Sequence, residues 1–336
     1  MSTNVIRAQQ IGHTAPPDDG APARDWILGK KNIAAGLSDP SVFQYGYRAA
    51  AEWVSIVACL MTAHYLQSIL AYVAAAYVIG IFQHRLSVLG HEGSHRHISK
   101  TPWLNDLISN LTAWWPLVLS SEAFRAQHLD HHSFLATPKD PENWYEAWHG
   151  TFGLPRRKAW FLQRVLMIFV GFGLKSVMRA AWAYQPRSMK DASQRVLFWA
   201  AVSGGLWASG NSWVLGMWFG AYLTTFWAAS WMRWWSEHQG TDGTNRIVAP
   251  LWQRLTIYPH NTWCHFEHHQ WPSVPSWNLP KLRARYSGTE PFVRLADLFV
   301  LWEQSAPIAG GVARRPSTSG AKNRYTVTPP GMSLPT

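Results

Sequence analysis

Three histidine groups carry the chemistry of this chain: His91 and His95, then His128, His131 and His132, then His265, His268 and His269. On an α-helix, residues three or four apart share a face, so each group turns its rings toward one locus. Imidazole is a ligand of intermediate softness that suits iron, zinc, copper and nickel, so residue type alone leaves the metal open. Ligand number narrows the choice, because a structural zinc takes four ligands and a catalytic zinc about three. Eight or nine histidines match two ions, each held by about four or five. A pair of zincs for hydrolysis would recruit carboxylates as ligands, whereas these groups are almost purely imidazole. Two irons are favoured, and an iron pair can reduce dioxygen and oxidise an unactivated C–H bond, which no side chain can do.

The elements that position these groups read as membrane spans. The chain has 336 residues, is 47% apolar and holds 22 tryptophans, while its mean hydropathy is slightly negative because apolar runs alternate with polar, histidine-rich stretches. Residues 50–68, 69–88, 193–211 and 213–231 are each near the roughly 20 residues that a bilayer core requires. The connectors at Gln67-Ser68 and Gly210-Asn211-Ser212 are short enough to make two helical hairpins. Trp53, Tyr65, Trp213, Trp231, Trp234 and Trp235 fall toward the span ends, as interfacial anchors do. The thirty Lys and Arg residues avoid both connectors, so the positive-inside rule puts both termini and all three histidine groups on the cytosolic side. Leu104–Ser120 and Ala159–Met178 are apolar but interrupted by polar or charged residues, and read as interfacial segments. The expected fold is an all-α integral membrane protein with four transmembrane helices in two hairpins and a cytosolic helical cap. Residues 1–30 and 306–336 read as flexible tails around a working domain at 31–305.

Composition also excludes some classes. Cys59 and Cys264 are too few for a disulfide framework or a thiolate metal site. The net charge of +11 forms no aromatic-interleaved basic stripe, which argues against nucleic acid. A transporter would place polar groups near the bilayer midplane, whereas these histidines lie beyond the span ends. A zinc-dependent membrane hydrolase or a non-catalytic metal-binding membrane protein are the remaining alternatives.

The patterns HxxxH, HxxHH and HxxHH, separated by apolar hairpins, resemble the membrane fatty-acid desaturase and hydroxylase superfamily. The segments Ala136-Thr137-Pro138-Lys139-Asp140-Pro141-Glu142, Arg233-Trp234-Trp235-Ser236-Glu237-His238 and 259–275, followed by Asn278-Leu279-Pro280, extend the similarity over about Arg48–Tyr286. The resemblance implies that all eight box histidines are ligands, with His238 as a ninth in the position of a histidine often found ahead of the third box. It also implies two iron ions, dioxygen as co-substrate and an oxidoreductase acting on a hydrophobic substrate. An acyl-lipid desaturase is favoured over a hydroxylase or another C–H oxidation of a lipid, carotenoid or small metabolite. The chain carries no haem-binding HPGG element and no iron–sulfur cysteines, so a separate ferredoxin, rubredoxin or cytochrome-type electron donor is implied.

Around the boxes, Glu92, Asp130, Asp140, Glu237 and Glu267 are candidates to accept the second imidazole N–H and fix each ring. His97 stands two residues beyond His95, off the ligand face, and His260 is a weak ligand candidate; His13, His64, His84 and His149 lack partners at ligand spacing. Arg125 and Arg233 read as snorkelling side chains or contacts for a headgroup or donor. Trp114, Trp115, Trp227 and Trp231 are tunnel candidates, with anchoring or packing as the simpler reading.

Overall fold

The first hairpin follows from two serine caps and one left-handed residue. Helix α1 (Val42–Leu66) starts where Ser41 Oγ accepts the Gln44 N–H, and α2 (Ile69–Ser94) where Ser68 Oγ accepts from Ala71. Between them Gln67 adopts φ 46°, which reverses the chain at the expected connector. These are the two helices long and apolar enough to cross a membrane among the described residues of this computed structural model. The described residues are 29–135, 137, 139–142, 158–238, 241, 243–288 and 290–304. The expected tails lie almost wholly outside them, as do His13 and His149. Val54, Met61, Ile69 and Leu70 are 62–85% exposed on the outer face of the hairpin, an apolar surface that suits lipid.

Helix α2 outruns its expected end at residue 88 and carries His91 within its last turn. The chain then folds back through α3 (Pro102–Ser109), a π turn (Asn110–Trp114) and α4 (Ser121–Phe134), which bears the second box. The segment around 104–120 is too short as helix to cross. Helix α5 (Lys158–Met167), its π turn (Ile168–Phe172) and α6 (Leu174–Ala183) form a pair bent by 85° in place of a straight rod. Gly171, at φ 103°, supplies a backbone conformation within that π turn that a side chain would resist.

The second hairpin differs from expectation in detail. Helix α7 (Met189–Ala208) turns at Gly210 (φ 72°) into α8 (Trp213–Ala221), a π turn (Tyr222–Phe226) and α9 (Trp227–His238). The turn falls where the sequence puts it, but α7 and α8 do not meet the length and apolarity of a span. Lys190, Asp191 and Arg195 begin α7, with Asp191 and Arg195 buried as a pair, and the π turn breaks the run of α8. Trp53 of α1 stacks on Trp218 of α8 at 5.5 Å, joining the two hairpins.

After α9 come β1 (Arg246–Val248), α10 (Leu251–Thr256), a 3-10 turn (Pro259–Cys264), α11 (His265–Gln270), α12 (Leu279–Arg285), β2 (Phe292–Arg294) and α13 (Leu295–Gln304). The two strands pair in parallel with Ile247 opposite Val293, so the all-α expectation misses a small sheet. Three-residue strands are too short to show an alternating pattern.

Gly80 of α2 is where the second hairpin comes closest: a Cβ there would lie 2.7 Å from Thr225 Cβ and 2.8 Å from the Ala221 carbonyl oxygen. Gly80→Ala is expected to destabilise the protein by about 1–3 kcal/mol through overpacking. Gly204→Ala, with nothing within 4 Å, is expected to cause no loss. Thermal unfolding of the two variants in detergent, compared side by side, checks this.

Candidate metal centre

Helices α2, α4, α9 and α11 deliver nine imidazoles to one buried locus. His91, His95, His128, His132 and His268 each offer a ring nitrogen within 4.8 Å of the others; His131, His238 and His269 form a second group, and Glu237, His238 and His265 a third that shares His238. His132 and His269 stack at 4.1 Å between ring centroids, so the groups abut. The structure thus brings together every histidine that the sequence reading put in the centre, including His238, and the distant boxes share one side of the fold.

The donor geometry fits metal ions. Nε2 atoms approach at 2.9 Å between His95 and His128, 3.0 Å between His128 and His132, 3.1 Å between His132 and His268, and 3.2 Å between His238 and His265. Imidazole nitrogens bound at about 2.1 Å to one ion, at right angles, stand roughly 3.0 Å apart. Nε2 of His91 and of His269 are buried with no hydrogen-bond partner, and such orphaned acceptors are costly unless they bind something. Burial keeps His95, His128, His132, His265, His268 and His269 well below the ordinary imidazole pKa, so their lone pairs are free to coordinate. At His131 burial works in the same direction but Glu142 and Asp140 overcome it and raise the ring to about 9.

The outer contacts fix which nitrogen faces inward. His131 Nδ1 lies 3.0 Å from Asp140 Oδ1 and 3.6 Å from Glu142, which leaves Nε2 for the centre. His238 Nδ1 donates to the Gly243 carbonyl at 3.3 Å. His91 Nδ1 is 3.4 Å from Glu92, and His265 Nδ1 is 3.6 Å from Glu237.

Two carboxylate expectations fail. Asp130 is exposed on α4 because its position turns away from the face that His128, His131 and His132 share. Glu267 is fully buried but faces away from the rings: Arg246 donates to it at 3.0 Å and Arg283 at 2.8 and 2.6 Å. Two guanidiniums compete better than an imidazole for a buried carboxylate, so Glu267 anchors α11 to β1 and α12. Glu142, two residues after Asp140 in one short segment, is an additional acid beside the centre that sequence reasoning passed over.

Other histidines sort as follows. His97 follows the end of α2 and stacks on His95 at 5.4 Å; its Nδ1 pairs with Glu92 at 2.9 Å and its Nε2 with the Pro272 carbonyl at 3.1 Å. His84 is equally occupied, by Ser230 Oγ and the Ile257 carbonyl. His260 is buried 3.2 Å from Glu52, outside the ligand groups, and His64 is exposed against Trp213. Arg125 is neither snorkelling nor free for a headgroup: it donates to the Ser94 and Gly93 carbonyls, closing the end of α2, and pairs with Asp106.

A cavity of about 120 Å³ borders the centre. His91, His128, His131, His238 and His265 form one wall, and Trp114, Phe124, Tyr184, Phe226 and Trp227 give most of the apolar lining. Of the tunnel candidates, Trp114 and Trp227 reach it, while Trp115 packs toward Phe198 and Trp231 lies within the core.

The fatty acid desaturase family pattern matches residues 67–297. Among similar proteins, dihydrorhizobitoxine desaturase of Bradyrhizobium elkanii is 26% identical over 290 residues, covering 77% of this chain and 80% of that one. An sn-1 oleoyl-lipid 12-desaturase of Anabaena variabilis is 24% identical over 238 residues, covering 60% of this chain and 64% of the relative. An sn-1 acyl-lipid omega-3 desaturase (ferredoxin) of Nostoc sp. (strain 36) is 34% identical over 116 residues, which is 34% of this chain and 32% of that protein. With more than half its length matched and its histidine boxes gathered into one buried cluster, the chain belongs to the fatty acid desaturase family.

Proposed function

We propose that the protein is a membrane-bound, dioxygen-dependent desaturase in which two irons are held by His91, His95, His128, His131, His132, His238, His265, His268 and His269. The observation that carries this reading is the meeting of all three boxes and His238 within hydrogen-bond distance of one another. Iron held there supplies the oxidising chemistry that no protein side chain provides. The net reaction takes dioxygen, two electrons and two protons together with a –CH2–CH2– unit, and gives –CH=CH– and two waters. Both oxygen atoms leave as water, which separates this outcome from hydroxylation.

The chain's own residues bind and orient. Asp140, Glu92 and the Gly243 carbonyl hold ring tautomers, while Trp114, Phe124, Phe226 and Trp227 exclude bulk water and give the substrate's carbons an apolar wall. Two of the relatives above are named for acyl lipids, which makes an ester-linked acyl chain the substrate class against which any other is compared. The proposed topology has α1, α2, α7 and the α8–α9 rod crossing the bilayer as two hairpins, with the centre and both termini on the cytosolic side. A separate one-electron donor of ferredoxin, rubredoxin or cytochrome type supplies the electrons; ferredoxin appears in the name of the Nostoc relative.

Protein purified in detergent from iron-replete cells is expected to contain two irons per chain and to form an alkene with consumption of dioxygen. Stoichiometric zinc that survives a metal-exchange control would overturn the assignment. His131→Ala and His268→Ala are each expected to lower iron content and cut turnover by at least about 100-fold while leaving membrane insertion intact. Full activity in either variant removes that residue from the ligand set. For His97→Ala the expected result is full iron content, because both its ring nitrogens are already engaged by protein atoms.

A further inference from the structure

Five guanidiniums among the described residues are saturated. Arg85, Arg195, Arg246 and Arg283 each use all three side-chain nitrogens in hydrogen bonds to carboxylates, carbonyls or hydroxyls, and so does Arg125. Arg233 differs. Its side chain is 17% exposed, its Nε is buried without a partner, and among the described residues it makes a single hydrogen bond, 3.3 Å from Nη1 to Glu237. Glu237 Oε2 is likewise buried and unpartnered. Both side chains line the cavity beside the histidines, whose other walls are mainly aromatic and aliphatic.

A wholly hydrocarbon occupant would leave Arg233 Nε and Glu237 Oε2 without partners, and an unmet charged donor in an apolar site is costly. A fork of N–H donors in such a setting is suited to a planar carboxylate. The acids nearby do not forbid an anion, because two divalent ions on neutral imidazoles outweigh the charge of Asp140, Glu142 and Glu237.

We propose that Arg233 is a specificity-determining residue that binds the carboxylate of a short aliphatic acid, a few bonds from the carbons attacked, so that the substrate class is a free acid and not the middle of an ester-linked acyl chain. The proposal rests on the desaturase reading for its reaction but not for its binding step. The apolar wall of Trp114, Phe124, Phe226 and Trp227 takes the aliphatic part, and the guanidinium sets how far along it the chain can slide.

Equilibrium dialysis of the metal-loaded full chain in detergent, with radiolabelled hexanoate and its methyl ester as probes, tests this. Hexanoate is expected to bind saturably and at least about tenfold more tightly than the ester. Arg233→Met is expected to weaken hexanoate at least about tenfold without changing the ester, and Arg233→Lys to fall between. Equal binding of acid and ester by the wild type overturns the proposal. So does undiminished hexanoate binding in Arg233→Met, which would mean that the carboxylate sits on the metal ions. Iron content and dialysis monodispersity of each variant are read first; if Arg233→Met does not fold, the acid–ester comparison in the wild type and Arg233→Lys decide. Iron and alkene formation are measured separately, so carboxylate preference without iron would sink the desaturase reading alone, and iron without carboxylate preference would sink this assignment alone.

Discussion

Nine imidazoles share one water-poor volume, and the constraint on everything around them is that each ring must be neutral, aimed inward and supported from behind. Burial secures neutrality at His95, His128, His132, His265, His268 and His269; at His131, which Glu142 and Asp140 hold above the ordinary imidazole value, a bound metal would have to displace the proton. Aim depends on the elements that bear the rings, and α2 acts as the common support. It carries His91 in its last turn and His95 at its cap, and two turns earlier it grips the segment that leads to the third box. His84 contacts Ser230 of α9 and the Ile257 carbonyl, while Arg85 holds Glu52 of α1 and donates to the Leu255 carbonyl. Glu52 in turn lies 3.2 Å from His260, five residues before His265. Two residues that offer no catalytic chemistry thereby set the distance between histidines 170 or more positions apart in the chain.

That linkage explains a local strain. His260 and Asn261 adopt φ 50° and 66°, a left-handed pair that costs of order 1–3 kcal/mol for each non-glycine residue outside favourable contexts. The pair persists because its surroundings hold it: Glu52 on the His260 side, and the Ser276 carbonyl accepting from Asn261 Nδ2 at 3.1 Å. The sharp reversal permits α11 to start at His265 and present His265, His268 and His269 within two turns. Behind α11, Glu267 and its two arginines fix the helix from the opposite face.

How much of this was legible in the sequence depends on the range of the interaction. The boxes were visible because ligand spacing on a helix is local, and the first hairpin because capping serines and an apolar run are local too. His238 came from resemblance alone, since a single histidine at the end of a tryptophan-rich helix has no spacing partner. The sequence pattern puts the second hairpin's turn at the right place but makes its helices too regular, because the π turn Tyr222–Phe226 lies where the chain packs against α2 at Gly80, a contact that a one-dimensional pattern does not encode. The same reason hid the role of Glu267: helical spacing put it beside the ligands, but only the approach of Arg246 and Arg283 from elsewhere decided which way it faces.

The two halves of the centre are chemically unequal. His91, His95, His128, His132 and His268 form an all-imidazole group, whereas His131, His238, His265 and His269 lie among Asp140, Glu142 and Glu237. Carboxylates behind imidazoles raise their basicity and offset cationic charge, so an ion held in the second half, with three acids against the single Glu92 of the first, would have the more electron-rich surrounding. The cavity opens on this seam, with His91 and His128 on one side and His131, His238 and His265 on the other. Substrate carbons placed there would face both halves at once, while the charged groups of the cavity wall, Glu142, Glu237 and Arg233, lie on the second side only. An asymmetric surrounding of that kind gives the reacting segment a direction: one end meets apolar rings, the other meets charge. On the proposed di-iron reading, substrate orientation is therefore built into the same residues that would differentiate the two metal positions.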